Sequence, residues 1–220
     1  MSKQDALLNL AKLRQETRYD GYTAIGDYDE GVWECDYVSP YSLSSHNEDS
    51  DILVILQDWC SSESFDYPVC EETLKLGHTP GVRTNINLKA LLDKYFGKSL
   101  EDIYSTNLFP FVKPGAMNAP IATKALVKAA EQFTLPLIKI INPKIAICLG
   151  KNSFNALRRV NGLPSVANME EAINSTFKYE NTLIFCQAHT GQLGLNNRNR
   201  GGVDRVSADW ERMRSAYEFA

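Results

Sequence analysis

Three polar residues stand where short apolar runs end: Asp58 after Asp51-Ile-Leu-Val-Ile-Leu56, Asn107 closing Asp102-Ile-Tyr-Ser-Thr, and His189 after Thr182-Leu-Ile-Phe-Cys-Gln187. A carboxylate can stabilise a developing cation or orient a water, and an amide side chain offers a donor and an acceptor together. Imidazole titrates near neutrality and serves as acid, base or hydrogen-bond donor. An Asp, an Asn and a His brought to one rim would form an acid/base constellation. Such convergence requires a fold that aligns the ends of three separate runs.

The spacing of apolar residues predicts that fold. A helix is expected over 4–17, followed by an irregular stretch over 20–50, rich in Gly, Tyr, Ser and Asp, with short strands packed by aromatic side chains. Buried strands are predicted at 51–56, 102–107, 143–149 and 182–187, their continuous apolar and β-branched character suiting burial on both faces. Helices are expected at 85–95, 121–141 with an interruption near Pro136, 153–160 and 204–220, with a polar loop over 191–202. Strands alternating with helices imply a three-layer α/β/α fold around a central four-stranded parallel sheet. No linker divides the chain, so one domain over 1–220 is expected, its first fifty residues forming the helix and the irregular acidic segment. Ligands of open parallel sheets bind beyond the carboxyl ends of the strands, where Asp58, Asn107 and His189 fall.

The net charge of −4 conceals a strong segregation. From Asp20 to Glu72 there are fourteen acidic residues and no Lys or Arg; from Lys113 to Arg159 there are eight basic residues against Glu131 alone. Local patches rather than the total set the field, so a basic face on an acidic protein is compatible with these numbers. The five cysteines form no C-x-x-C pair, which argues against a disulfide framework or a zinc finger. No apolar run approaches the roughly 18–20 residues of a membrane span, and no signal-peptide core is evident, so a cytoplasmic protein without a membrane partner is expected.

Taken in order, these landmarks resemble the uracil-DNA glycosylase superfamily across about 51–213. Its first motif, G-Q-D-P-Y-H, is similar to Leu56-Gln57-Asp58-Trp59-Cys60. Its base-reading Asn matches Asn107, and its third strand and glycine look like Ile145-Ala-Ile-Cys-Leu-Gly150. Its last motif, H-P-S-P-L-S, resembles His189-Thr-Gly-Gln-Leu-Gly194. The Pro-Tyr after the Asp is here Trp59-Cys60, and the Pro-Ser after the His is Thr190-Gly191, which puts uracil itself in question as the substrate.

The resemblance implies a monofunctional DNA glycosylase that hydrolyses the N-glycosidic bond of uracil or another damaged or modified base flipped out of DNA, working as a monomer without cofactor or metal. Asp58 and His189 would be catalytic, and Gln57, Trp59, Phe65 and Asn107 would bind the base, with Tyr67 and His78 as further stacking candidates. Lys113, Lys151, Thr190, Gly191, Leu193, Arg198 and Arg200 would contact DNA, Leu193 as the wedge. The rival reading is a catalytically altered glycosylase-like module that binds nucleic acid or protein. A Cys60–His189 hydrolase lacks an orienting third residue, and no phosphate-binding G-x-x-x-x-G-K-[ST] loop is present. Cys60, Cys70 and His78 have spacing unlike a structural zinc site.

Overall fold

The computed structural model of the protein describes residues 1–219. Helix α1 (Lys3–Glu16) starts at Ser2, whose hydroxyl accepts from the Asp5 N–H while the Asp5 carboxylate accepts from the Ser2 N–H. The irregular stretch that follows contains short 3-10 turns, among them Ile25–Asp27 and Pro40–Ser44. The short strands expected there are only isolated bridges, Thr23 with Val112 and His46 with Tyr104. Strand β1 (Ile52–Asp58) leads to α2 (Glu71–Leu76), α3 (Arg83–Phe96) and β2 (Tyr104–Phe109). Next come α4 (Thr123–Ala129), a π-helical turn and α5 (Leu135–Ile141), so the predicted interruption lies just before Pro136. Strand β3 (Ile145–Leu149), α6 (Lys151–Val160), α7 (Met169–Ile173), β4 (Phe177–Tyr179) and β5 (Thr182–Gln187) follow. The chain ends in α8 (Gln192–Arg198) and α9 (Arg205–Glu218); the last residue of the predicted closing helix, Ala220, lies outside the described residues.

The sheet has the order β2-β1-β3-β5-β4, with four parallel strands and β4 antiparallel to β5. It therefore has five strands, not the predicted four. The fifth is a three-residue edge strand, Phe-Lys-Tyr, too short to print an apolar run. Side chains alternate along each parallel strand into two cores. Leu53, Ile55, Ala146, Cys148 and Ile184 pack beneath α1, α4, α5 and α6, whereas Ile52, Val54, Leu56, Ile147 and Phe185 pack against α3 and α9. Helices cover both faces, as continuous apolar strands require. Among the described residues no helix is long and apolar enough to cross a membrane.

Arg14 ties the irregular stretch to this frame. Its side chain is fully buried, donates to the carbonyls of Cys35 (2.6 Å) and Tyr37 (2.7 Å), and pairs with Glu34. Replacing it leaves the Tyr37 carbonyl and the Glu34 carboxylate without the guanidinium, and the Cys35 carbonyl with Gln15 Nε2 alone. Arg14→Ala is expected to lower stability by about 3–5 kcal/mol in urea denaturation. Amide exchange should rise first in residues 33–38; an unchanged unfolding midpoint would contradict this role.

Candidate active site

The carboxyl ends of the strands open into a cleft of about 1010 Å³ lined by Gln57, Asp58, Trp59, Phe65, His78, Asn107, Lys113, Lys151 and His189. Asp58 closes its strand rather than following it, and Asn107 lies within its strand instead of ending it. Parallel pairing carries β1 and β2 two residues past their predicted ends, with Leu56 opposite Asn107 and Asp58 opposite Phe109. Beyond the sheet the two chains stay together: Ser61 bridges to Lys113, and the Ser62 N–H donates to the Lys113 carbonyl at 2.8 Å.

That continuation delivers Lys113 to Asp58. The ammonium is 2.6 Å from Asp58 Oδ2, with side chains only 2% and 9% exposed, and also donates to the Met117 carbonyl. The other carboxylate oxygen accepts from Gln57 Nε2 at 2.8 Å, and Gln57 Oε1 accepts from Asn152 Nδ2 at 3.0 Å. Both oxygens of Asp58 are thus held. Lys113, expected at a DNA phosphate, is instead the buried partner of the carboxylate, because its backbone continues β2 inward rather than toward the surface.

His189 is set by the turn after β5. The Gly191 N–H donates to Nδ1 at 3.0 Å, so the neutral ring carries its proton on Nε2. There is little space around this contact. A Cβ on Gly191 would stand 2.9 Å from Nδ1, and one on Gly194 would stand 2.1 Å from the His189 carbonyl oxygen. Enclosure by the cleft walls lowers the imidazole pKa, and the Asp58 charge partly opposes the shift. Asn107 is 1% exposed. Its Oδ1 accepts from the Ser39 hydroxyl, and its Nδ2 has no protein partner. Ser39 Oγ accepts from the Tyr41 N–H at 3.3 Å while its own proton goes to Asn107 Oδ1.

The aromatic candidates form a wall. The Trp59 indole N–H donates to the Gly77 carbonyl at 2.8 Å, and its ring meets Trp33 edge-on at 5.5 Å. Phe65 stacks on Tyr28 with ring centres 3.9 Å apart, Tyr67 is 74% exposed, and His78 is buried against Tyr41. Cys60 is buried, which pushes its thiol pKa well up and removes the nucleophile of the hydrolase reading.

The residues expected to touch DNA divide. Leu193 (74% exposed) and Arg200 are at the surface, and Lys151, whose ammonium donates to the Ala167 carbonyl, lines the cleft. Thr190 is buried, its hydroxyl donating to the Thr84 carbonyl and its own carbonyl accepting from Asn87 Nδ2, so it is a tie to α3. Arg198 pairs with Asp209 (2.6 Å) and Glu170, joining α8 to α9 and α7. Arg198 turns inward because residues 192–198 fold as a helix instead of a polar loop, and Thr190 because the turn before that helix packs on α3. The basic block is likewise dispersed, with Lys139 paired to Glu180, Lys144 to Asp51 and Lys128 over the Tyr19 ring.

Sequence reasoning missed Ser39, Tyr41, Asn85 and Asn152, which hold or extend the site from segments that carry no motif. Among the described residues no three His, Cys, Asp or Glu side chains cluster as metal ligands. Searched against models of known families and against curated proteins, the chain matches none.

Lys113→Met strands a buried carboxylate and should cost about 3–5 kcal/mol of stability, read by denaturation. Lys113→Met combined with Asp58→Leu should recover most of that loss; a double variant no more stable than the single one would refute the pairing. The His189 ring, observed by nitrogen NMR, should remain neutral with Nε2 protonated as pH falls through the ordinary value of 6.5, titrating only below it. A midpoint above 6.5 would mean that Asp58, not burial, dominates.

Proposed function

We propose that the protein is a monofunctional DNA glycosylase, hydrolysing the N-glycosidic bond of uracil or of another damaged or modified base flipped out of DNA. The observation that carries this reading is the meeting, in one cleft, of an oriented carboxylate, an amide nitrogen without a protein partner and a neutral imidazole with its proton on Nε2.

The bond breaks with its electron pair leaving on the base, so positive charge develops on the sugar and negative charge on the base. Asp58, held by Gln57 and Lys113, faces the cation and orients the water that attacks the sugar carbon, the proton released by that water passing to the departed base anion. His189 Nε2–H donates to the base oxygen where charge collects, and a neutral donor spends no proton before the bond breaks. Asn107 Nδ2 donates to an acceptor on the base edge. Leu193, exposed on the helix that follows His189, fills the space left in the stack, a step that offsets part of the few kcal/mol of unstacking. The cleft volume is at the upper end of the roughly 300–1000 Å³ usual for small-molecule sites, which favours a base larger than uracil or one bound with part of its nucleotide.

One observation favours the second reading, a catalytically altered module that binds nucleic acid or protein: the Lys113 ammonium offsets the charge that Asp58 would present to the sugar. A base-release assay on oligonucleotides carrying uracil, deaminated, oxidised or modified bases separates the two. Under the glycosylase reading at least one substrate is cleaved, and His189→Ala lowers release by about 10²–10³-fold. Asp58→Asn should lower it as well. Salt-sensitive DNA binding without release from any substrate establishes the binding module instead.

A further inference from the structure

Two residues that line the cleft each keep a buried polar atom without a protein partner: Asn107 Nδ2 and His78 Nε2. His78 follows the end of α2 and is only 4% exposed. Its Nδ1 is 3.1 Å from the Leu76 carbonyl and 3.0 Å from Ser44 Oγ. A carbonyl oxygen only accepts, so Nδ1 carries the proton. Burial lowers the imidazole pKa, which keeps the ring neutral and leaves Nε2 with a bare lone pair. These two buried atoms are therefore an uncommitted donor and an uncommitted acceptor.

Both are held by the same short segment. Ser39 grips Asn107 Oδ1, Ser44 meets His78 Nδ1, and between them Tyr41 stacks on the His78 ring with centres 5.1 Å apart and planes at 26°. Tyr41 is itself fixed by its hydroxyl, which donates to Asn85 Oδ1 at 2.7 Å, while Asn85 Nδ2 donates to the Thr79 carbonyl. One 3-10 turn, Pro40–Ser44, with the serine before it, thus positions two side chains from β2 and from the loop after α2. An unpaired buried acceptor carries a desolvation cost that a matching donor removes.

We propose that His78 Nε2 is a specificity determinant that accepts a hydrogen bond from an N–H of the bound base, acting beside the Asn107 amide. The ligand class is a nucleobase that presents an N–H donor together with a carbonyl or ring-nitrogen acceptor, and bases alkylated at that N–H are rejected. This rests on the glycosylase reading of the cleft. His78 acts by selecting the base and takes no part in the bond-breaking step.

The test uses the full-length protein labelled with ¹⁵N and single-stranded oligonucleotides carrying one deoxyuridine, 3-methyldeoxyuridine, deoxycytidine or N4,N4-dimethyldeoxycytidine. The free protein should show His78 as the Nδ1–H tautomer. Its Nε2 resonance should move on adding an N–H-bearing base and not its methylated counterpart. Fluorescence anisotropy should give at least about tenfold tighter binding for the N–H-bearing member of a pair, the size of one buried hydrogen bond. His78→Phe, which keeps an aromatic ring against Tyr41, should abolish that preference, whereas His78→Gln should restore part of it. A preference that persists in His78→Phe reflects methyl bulk and overturns the proposal. So does an Nε2–H tautomer, or a silent Nε2 resonance with a base whose binding Asn107→Ala weakens; either result leaves the glycosylase reading standing. Failure of every base to bind, with no base release, removes the glycosylase reading and this one together.

Discussion

Strand β1 is hydrogen-bonded along both edges to parallel neighbours, β2 on one side and β3 on the other, with β5 paired to the far edge of β3. Parallel strands run their carboxyl ends to the same rim, and each connection must return across a face of the sheet. Residues 58, 107, 150 and 189, far apart in sequence, are thereby brought to one edge. The same pairing extends past the sheet through Ser61, Ser62 and Lys113, which is why a lysine on the chain after β2 reaches a carboxylate at the end of β1. Every later feature of the cleft is built on this rim.

Burying Asp58 and Lys113 together is costly unless each charge keeps hydrogen-bond partners, and both do. Gln57 holds the second carboxylate oxygen and the Met117 carbonyl a second ammonium proton. The result is a carboxylate with a defined direction and a tempered charge. His189 lines the same cleft, whose walls lower its imidazole pKa, and the Gly191 N–H on Nδ1 leaves the neutral ring with its proton on Nε2. A cleft with one directed carboxylate and one neutral donor suits a reaction that separates charge before any proton moves, because preorganised dipoles need not reorient.

The charge pattern along the chain has a different structural meaning from the one its arithmetic invites. Segregated lysines and arginines do not make a single basic face: Lys128, Lys139 and Lys144 are engaged at separate places, and Arg198 is a brace between three helices. Among the described residues the basic side chains that line the cleft are Lys113 and Lys151, the first of them internal. Sequence distance averages over faces that the fold separates, so a block of like charge says little until the helices are placed.

The apolar runs alone determined the α/β class, the four parallel strands and the prominence of Asp58, Asn107 and His189, because buried strands are locally encoded and their ends are marked by the first polar residues. The edge strand β4 and helix α8 escaped because each is short, stabilised by its neighbours rather than by its own pattern. Only the tertiary structure decided that Lys113 serves Asp58, that Thr190 and Arg198 are internal ties, and that Ser39 and Tyr41 support the cleft from a segment that reads as loop. A hydrogen bond between residues 39 and 107 spans 68 positions and leaves no local trace. Partners of that kind depend on where the chain returns in space, which no spacing of residues along it records.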